Sequence, residues 1–378
     1  MSTDRSGERH MRRALEAALL GPENDPNPRV GCVLADGERV IAVGHHRGAG
    51  TPHAEADALA QAGEQARGST AYVTLEPCHH TGRTGPCTLA LRDAGVRRVV
   101  YAVADPNPAA TGGGAWLTGE GVEIGFGLLA DEAAQLTATW RHRVRTGRPW
   151  VVWKFAATLD GRSAAADGSS HWITGPQARR DVHAERARCG AVIVGAGTVL
   201  ADDPRLTVRD EADRPIRRQP LRVVVGEREI PPGAHVLDDS AETLHLRTRD
   251  PQEVLTALAG RGVHRAWLEG GPTLAAAFLG AGCVDEVVAW IAPALLGAGR
   301  SAVADLGITT MADILRLDVR DVALVGGDVR VTARPVPTPP SPAAGRGETR
   351  TPHTRTRAGG ADRARSAHLT TAYSVPES

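Results

Sequence analysis

The sequence predicts an α/β protein made of two successive alternating series of strands and helices, and three observations lead there. Short apolar or β-branched runs alternate with segments of helical periodicity along most of the chain, the pattern of layered α/β architecture. Gly147-Arg148-Pro149 interrupts that alternation once, separating a first series from a second. At about 150 residues per domain, the 378 residues suffice for two domains with a remainder.

In the first series, Met11, Ala14, Leu15, Ala18 and Leu19 recur at helical spacing over residues 8–20, and residues 29–35 and 39–44 read as strands. His53 opens a second helical segment to residue 62, residues 70–75 are strand-like, and Pro86 stands where a helix takes its first residue. A strand over 97–103 and one long amphipathic helix over 128–145 complete the series. In the second, a strand over 150–156 is followed by a capping box, Thr174 with Gln177, that starts a helix running to about Cys189. Strands follow at 191–194, 221–225, 263–268 and 284–291, with a helix over 251–260 and another entered through Gly270-Gly271-Pro272-Thr273 and running to Leu279. From Pro335 the texture changes to scattered Pro, Arg, Thr and Gly, which predicts a disordered tail over 335–378. The expected division is therefore 1–147, 148–334 and the tail.

Composition narrows the function. Lys plus Arg equals Asp plus Glu at 44 each, with 42% hydrophobic residues, so the chain lacks the charge surplus of a dedicated nucleic-acid or membrane-surface binder. The first residues carry no apolar core and no stretch nears about 18 uninterrupted apolar residues, so neither a signal peptide nor a membrane span is expected and a cytoplasmic location is. The five cysteines are too few and scattered for a disulfide framework. Cys32, Cys189 and Cys283 lie in or beside apolar segments and read as core. Of the 44 basic residues one alone is lysine, Lys154, which marks that position for a compact ammonium that arginine does not replace.

His53-Ala54-Glu55, Pro77-Cys78 and Cys87 form the most specific constellation, one imidazole and two thiolates beside a carboxylate. Three protein ligands leave a fourth position open on tetrahedral zinc, which lowers the pKa of water there toward neutrality, and Glu55 is placed to relay its proton to a leaving amine. The arrangement resembles that of zinc-dependent base deaminases, with a longer interval between the cysteines. A closed structural site would require a fourth ligand, such as His79 or His80.

Asn27-Pro28-Arg29-Val30-Gly31, the stretch from His46 to Glu55 with Gly50 and Pro52, and the run from Glu76 through His79-His80-Thr81-Gly82-Arg83-Thr84-Gly85-Pro86 to Cys87 resemble the deaminase half of the bifunctional riboflavin-biosynthesis deaminase/reductase family. Lys154 to Arg162, Ser170-His171-Trp172-Ile173-Thr174, the helix carrying Arg186, Gly195 to Arg209, and Glu269-Gly270-Gly271-Pro272-Thr273-Leu274 are similar, in order, to its reductase half. The resemblance covers nearly all of residues 8–333. It implies an N-terminal cytidine-deaminase-like three-layer α/β/α domain and a C-terminal dihydrofolate-reductase-like α/β domain. It further implies zinc held by His53, Cys78 and Cys87, with Glu55 as acid/base, and a phosphorylated pyrimidine gripped by Asn27, His46, His80 and Arg83. In the second half it implies NADPH along Ala156, Trp172, Thr198, Asp202 and the segment of Gly271, Pro272, Thr273 and Leu274, and substrate along Ser170, Arg186, Leu206, Arg209 and Glu269, with Lys154 at the reacting ribose.

Chemistry supports the second set: Arg186 and Arg209 are able to grip phosphate bidentately, and the helix start at Gly270 to Leu274 offers backbone N–H groups to a pyrophosphate. The chain departs from the family at Gly226-Glu227, where a small hydroxyl is usual, and a carboxylate there opposes a 2′-phosphate. The implied activity is deamination of 2,5-diamino-6-ribosylamino-4(3H)-pyrimidinone 5′-phosphate followed by NADPH-dependent reduction of its ribosyl group, in a homo-oligomer of the kind common among such enzymes. Two other readings stand beside it: a deaminase of another base, nucleoside or tRNA with a reductase domain that has lost its activity, and a zinc-stabilised nucleic-acid-binding module, which zero net charge and few aromatics oppose.

Overall fold

The computed structural model describes residues 5–80, 85–210, 212 and 214–336. The first series builds α1 (Arg5–Ala18), β1 (Gly31–Asp36), β2 (Arg39–His45), α2 (Ala54–Ala62), β3 (Thr70–Val73), α3 (Cys87–Asp93), β4 (Arg98–Tyr101), α4 (Gly113–Gly119), β5 (Glu123–Phe126), α5 (Ala130–Leu136) and α6 (Ala138–Thr146). Its five strands run in the order β2-β1-β3-β4-β5, antiparallel at β2-β1-β3 and parallel from β3 to β5. Because successive strand residues face opposite sides, Cys32 and Leu34 pack on α2, α3 and α4 while Val33 and Ala35 pack on α1 and α5, giving three layers. Two glycines set how closely helices reach the sheet. A Cβ on Gly31 would fall 1.9 Å from the Ala14 carbonyl of α1, and one on Gly44 would fall 2.3 Å from the Ala54 carbonyl of α2. The second approach seats the start of α2, and with it His53 and Glu55, against the β2 end of the sheet.

The second series builds β6 (Trp150–Thr158), β7 (Arg162–Ala164), α7 (Pro176–Ala187), β8 (Ala191–Gly195), α8 (Ala196–Asp202), β9 (Leu221–Val225), β10 (Thr243–Leu246), α9 (Pro251–Gly260), β11 (Arg265–Leu268), α10 (Pro272–Gly280), β12 (Glu286–Ala292), β13 (Arg300–Ser301), β14 (Leu317–Val325) and β15 (Asp328–Pro335). An eight-stranded sheet runs β10-β9-β8-β11-β6-β12-β15-β14, parallel from β10 to β12 and antiparallel beyond. Val151, Ile193 and Val223 face α9 and α10, and Val152, Val192 and Val224 face α7, with Trp267 and Trp290 fully buried and edge to face at 6.2 Å. Cys32, Cys189 and Cys283 are buried in these cores, where desolvation pushes all three thiols up, Cys189 to about 12.

Several local expectations are corrected. Helix α7 is capped by Gly175, not by a Thr174–Gln177 box: Pro176 occupies the first helical position and the Gly175 N–H donates to Asp328 at 2.7 Å. Pro86 caps α3, so that Cys87 is the first helical residue. The single helix expected over 128–145 is two, divided at Thr137, whose hydroxyl donates back to the Ala133 carbonyl. Pro335 is the last residue of β15, beyond its register with β12, Val336 follows it, and the rest of the expected tail, 337–378, lies outside the described residues. Strands β5, β7, β10, β13 and the β14–β15 hairpin, and helices α4 and α8, are short or lack clear alternation and had no expectation attached.

Candidate functional site

Three elements converge in the first half. His53 caps α2, Cys78 follows β3, and Cys87 begins α3, so a helix start stands beside two of the three donors. The His53 Nδ1 lies 3.3 Å from Cys87 Sγ and 3.6 Å from Cys78 Sγ, and all three donor atoms fall within 4.8 Å of one another. Zinc bonded at its ordinary Zn–N and Zn–S lengths requires N···S edges of about 3.5 Å on a tetrahedron. The donors therefore fit zinc in kind and in spacing. The neighbouring Cys87 thiol lowers Cys78 to about 4, while that contact and burial push Cys87 up. Such a pair is poised to exchange its remaining proton for a cation.

No fourth protein ligand joins the three among the described residues. His79 is turned away, bonded to the Thr88 hydroxyl at 2.9 Å and stacked on Trp116 at 4.6 Å. Glu55, buried in the first turn of α2, touches Cys87, and burial followed by the Cys78 charge raises its carboxyl to about 7. A carboxyl so placed is able to take and return a proton near neutral pH.

The other expected residues of this half fall in part around the cluster. Asn27 Nδ2 donates to His46 Nε2 at 3.1 Å, the His46 Nδ1–H donates to the Pro52 carbonyl at 3.0 Å, and the His46 ring meets His53 edge on at 5.6 Å. His80 is half-buried and its Nδ1 has no partner among the described residues. Arg83 lies outside the described residues. One organiser had no role assigned from sequence: the buried Glu76 carboxylate accepts the N–H groups of Asp105, Gly112 and Gly114, tying the loop before α4 to the strand end that leads to Cys78. The signal for it was a lone carboxylate at the end of an apolar strand, ahead of Pro77-Cys78.

In the second half the expected residues gather at the carboxyl edge of the parallel strands, where open α/β sheets bind ligands. Lys154 and Ala156 stand on β6, Thr198 and Asp202 on α8 after β8, and Glu269 to Leu274 follow β11. Gly271 caps α10 with Pro272 at its first position, which leaves the Thr273 and Leu274 N–H groups without helical acceptors. A Cβ on Gly271 would lie 3.8 Å from the Thr198 hydroxyl, so the starts of α8 and α10 adjoin. Trp172, expected at the cofactor, is 70% exposed and carries Arg179 over its ring at 4.6 Å, which excludes the core aromatic it would otherwise be. Ser170, half-buried, lies two residues before it.

Arg186 and Glu269, both expected at the substrate, are paired with one another. The Arg186 fork grips Glu269 through Nε and Nη2 at 2.7 to 2.9 Å, and its Nη1 donates to the Thr207 carbonyl at 2.7 Å. Trp267 Nε1 donates to the same carboxylate at 2.5 Å. Burial drives Glu269 up, but Arg186 and Lys154 outweigh it and hold the carboxyl below its ordinary value. Burial likewise lowers Lys154, against the pull of Glu269. Leu206 is buried with φ at 54°, a left-handed backbone that side chains other than glycine rarely take, and it turns the chain into Thr207 and Arg209. Arg209 Nε donates to the Thr207 hydroxyl at 3.3 Å.

Comparison with known proteins agrees with both halves. The model of the cytidine and deoxycytidylate deaminase zinc-binding region matches residues 4–103, and that of the RibD C-terminal domain matches residues 149–331. The riboflavin biosynthesis protein RibD of Mycobacterium tuberculosis is 49% identical over 306 residues, covering 80% of this chain and 90% of its own, and that of Escherichia coli is 42% identical over 357 residues, covering 85% and 97%. Among solved structures, Acinetobacter baumannii RibD superposes with a TM-score of 0.79 at 40% identity, covering 89% of this chain and all of its own. A diaminohydroxyphosphoribosylaminopyrimidine deaminase/5-amino-6-(5-phosphoribosylamino)uracil reductase from Thermotoga maritima superposes with a TM-score of 0.78 at 32% identity, covering 88% and 99%.

Proposed function

Because the chain belongs to the RibD family, an enzyme family that joins a deaminase to a reductase in riboflavin biosynthesis, we propose how its own residues divide the two reactions. The first half, 1–147, hydrolyses the 2-amino group of 2,5-diamino-6-ribosylamino-4(3H)-pyrimidinone 5′-phosphate, and the second, 148–334, reduces the ribosyl group to ribityl. The observation that carries the first assignment is the spacing of His53, Cys78 and Cys87 with a buried Glu55 against them.

His53, Cys78 and Cys87 hold the zinc, which when bound supplies the Lewis acidity that makes water a nucleophile near neutral pH. Glu55 takes a proton from the attacking water and delivers it to the departing amine, so that ammonia leaves and a carbonyl remains. Asn27 and His46, fixed to one another, hold the pyrimidine beside the cluster, and His80 and Arg83 are the other residues assigned to it.

In the second half NADPH, when bound, supplies the hydride. Ala156, Trp172, Thr198, Asp202 and Gly271, Pro272, Thr273 and Leu274 are the residues assigned to it, with the free Thr273 and Leu274 N–H groups toward its phosphates. Lys154 donates a proton to the ribose as it opens. Glu269 opposes the lowering that burial and Arg186 impose on that ammonium, and Ser170, Arg186, Leu206, Arg209 and Glu269 line the substrate. We further propose a cytoplasmic homo-oligomer that binds no nucleic acid. Zero net charge supports the last point, and the edge strand β14, which leaves Val319, Val322 and Leu324 exposed, supports assembly. No described helix is long and apolar enough to cross a membrane.

Glu55→Gln tests the division. It should lower deamination by about 10²- to 10⁴-fold while the reduction of supplied aminouracil phosphate continues. Loss of both activities, or of neither, would refute separate sites.

A further inference from the structure

Dinucleotide sites separate the 2′-phosphorylated cofactor from its unphosphorylated form at one place. An acidic residue there accepts a hydrogen bond from the free 2′-hydroxyl, and an arginine there accommodates the phosphate. This chain carries one of each side by side, Glu227 and Arg228, immediately after β9. The outcome depends on which of them faces the cofactor.

Sheet order fixes where that place is. The strands run β9-β8-β11-β6, with Lys154 on β6 at one end and the turn after β9 at the other. Three interstrand spacings span about 14 Å, comparable with the reach of an extended dinucleotide from nicotinamide to adenine ribose. A cofactor whose nicotinamide meets Lys154, and whose phosphates lie at the start of α10, therefore brings its adenosine end to the turn after β9. At that turn Gly226 has φ of 128° and packs on Ala196, placing the next two residues over the start of α8.

Arg228 is exposed, but its guanidinium folds back onto α8. Its Nη2 lies 2.8 Å from the point a Cβ on Gly197 would occupy, so the guanidinium rests over Gly197 in a space that the glycine leaves open. It forms no hydrogen bond or ion pair among the described residues, so its donors are uncommitted. Glu227 acts outward: with Glu229, which pairs with Arg247 at 2.7 Å, it contributes to the negative field that raises the Arg247 guanidinium. An uncommitted planar fork over a glycine is suited to bidentate phosphate.

We propose that Arg228 selects NADPH over NADH in this enzyme by receiving the 2′-phosphate across Gly197. This assignment rests on the placement of the cofactor along the carboxyl edge given above.

The test is calorimetric titration of the full-length protein with adenosine 2′,5′-bisphosphate and with 5′-AMP, alongside kinetics with NADPH and NADH. The bisphosphate should bind the unaltered protein at least about tenfold more tightly than 5′-AMP, and Arg228→Ala should erase that difference through the bisphosphate alone. Gly197→Ala, which displaces the guanidinium without removing it, should act in the same direction. In kinetics Arg228→Ala should reduce the NADPH/NADH ratio of kcat/KM by a similar factor, carried by the KM for NADPH. Equal binding of the two nucleotides to the unaltered protein, or an advantage that survives Arg228→Ala, would overturn the role of Arg228. Failure of both nucleotides to bind would overturn the placement of the cofactor as well, and 5′-AMP binding distinguishes the two failures.

Discussion

In the first half of the molecule the reactive groups come from the starts of two helices and the loop between them, within 35 residues of chain from His53 to Cys87. In the second half they come from strand β6, helix α7 and the segments after β8 and β11, and the ion pair among them joins Arg186 to Glu269 across 83 residues. The first arrangement is a set of donors that fits a cation. The second is built around an ion pair, Arg186 with Glu269, already made within the protein. The contrast teaches that one site is organised by what it binds and the other by the sheet that carries it, so they should fail under different perturbations.

Metal removal should give the largest separation. Chelation that strips zinc should abolish ammonia release while NADPH-dependent reduction of supplied aminouracil phosphate continues, and zinc should restore the loss. Reduction falling in parallel would remove the contrast.

Glu269→Ala is the converse. Both partners are little exposed, at 11% and 12% for their side chains, and removing the carboxylate leaves Arg186 and Lys154 as uncompensated buried cations. Breaking such a pair typically costs about 3–5 kcal/mol, so denaturant unfolding of the second half should move by that order and reduction should be lost, with the zinc site still binding metal.

The same carboxylate sets a pH dependence. Burial raises it and the two cations lower it further, so its folded pKa lies below the ordinary carboxylate value. Its stabilising contribution is then complete above the unfolded pKa of about 4.3 and is lost as pH falls through the folded value. The melting temperature should fall with acid below that point, and Glu269→Gln should flatten that part of the curve.

The same difference in organisation explains what the sequence disclosed. The metal constellation was legible because its chemistry is local: a His-x-Glu pair and Pro-Cys at short spacing state the donor set without the fold. Strands 221–225 and helix 251–260 were legible to the residue because each is a bounded run of one periodicity. The pairing of Arg186 with Glu269 could not be read, because which carboxylate meets a guanidinium depends on which strand lies beside its helix. Glu76 escaped for the same reason, since the three N–H groups it satisfies lie 29 to 38 residues away. Strand β14 escaped because its exposed face carries Val319, Val322 and Leu324, which blurs the alternation that marks a strand.

The contact between the halves should show the smallest effect. Glu23 accepts from Arg188 of α7 at 2.7 and 2.9 Å, but the side chains are 30% and 46% exposed. Solvent screening limits such a pair to about 1 kcal/mol, so Glu23→Gln should change the melting temperature slightly and leave both activities near their original rates. A large loss of either activity would mean that the halves act through this contact, not side by side.

The central claim, two working sites in sequence on one chain, is tested most directly by supplying zinc-replete protein with the diaminopyrimidinone ribosyl phosphate and following ammonia release and NADPH absorbance together. The account predicts that ammonia appears with or without NADPH, and that NADPH is oxidised only after ammonia has been released. Ammonia with no oxidation of NADPH would contradict the second site, and no ammonia at all would contradict the first.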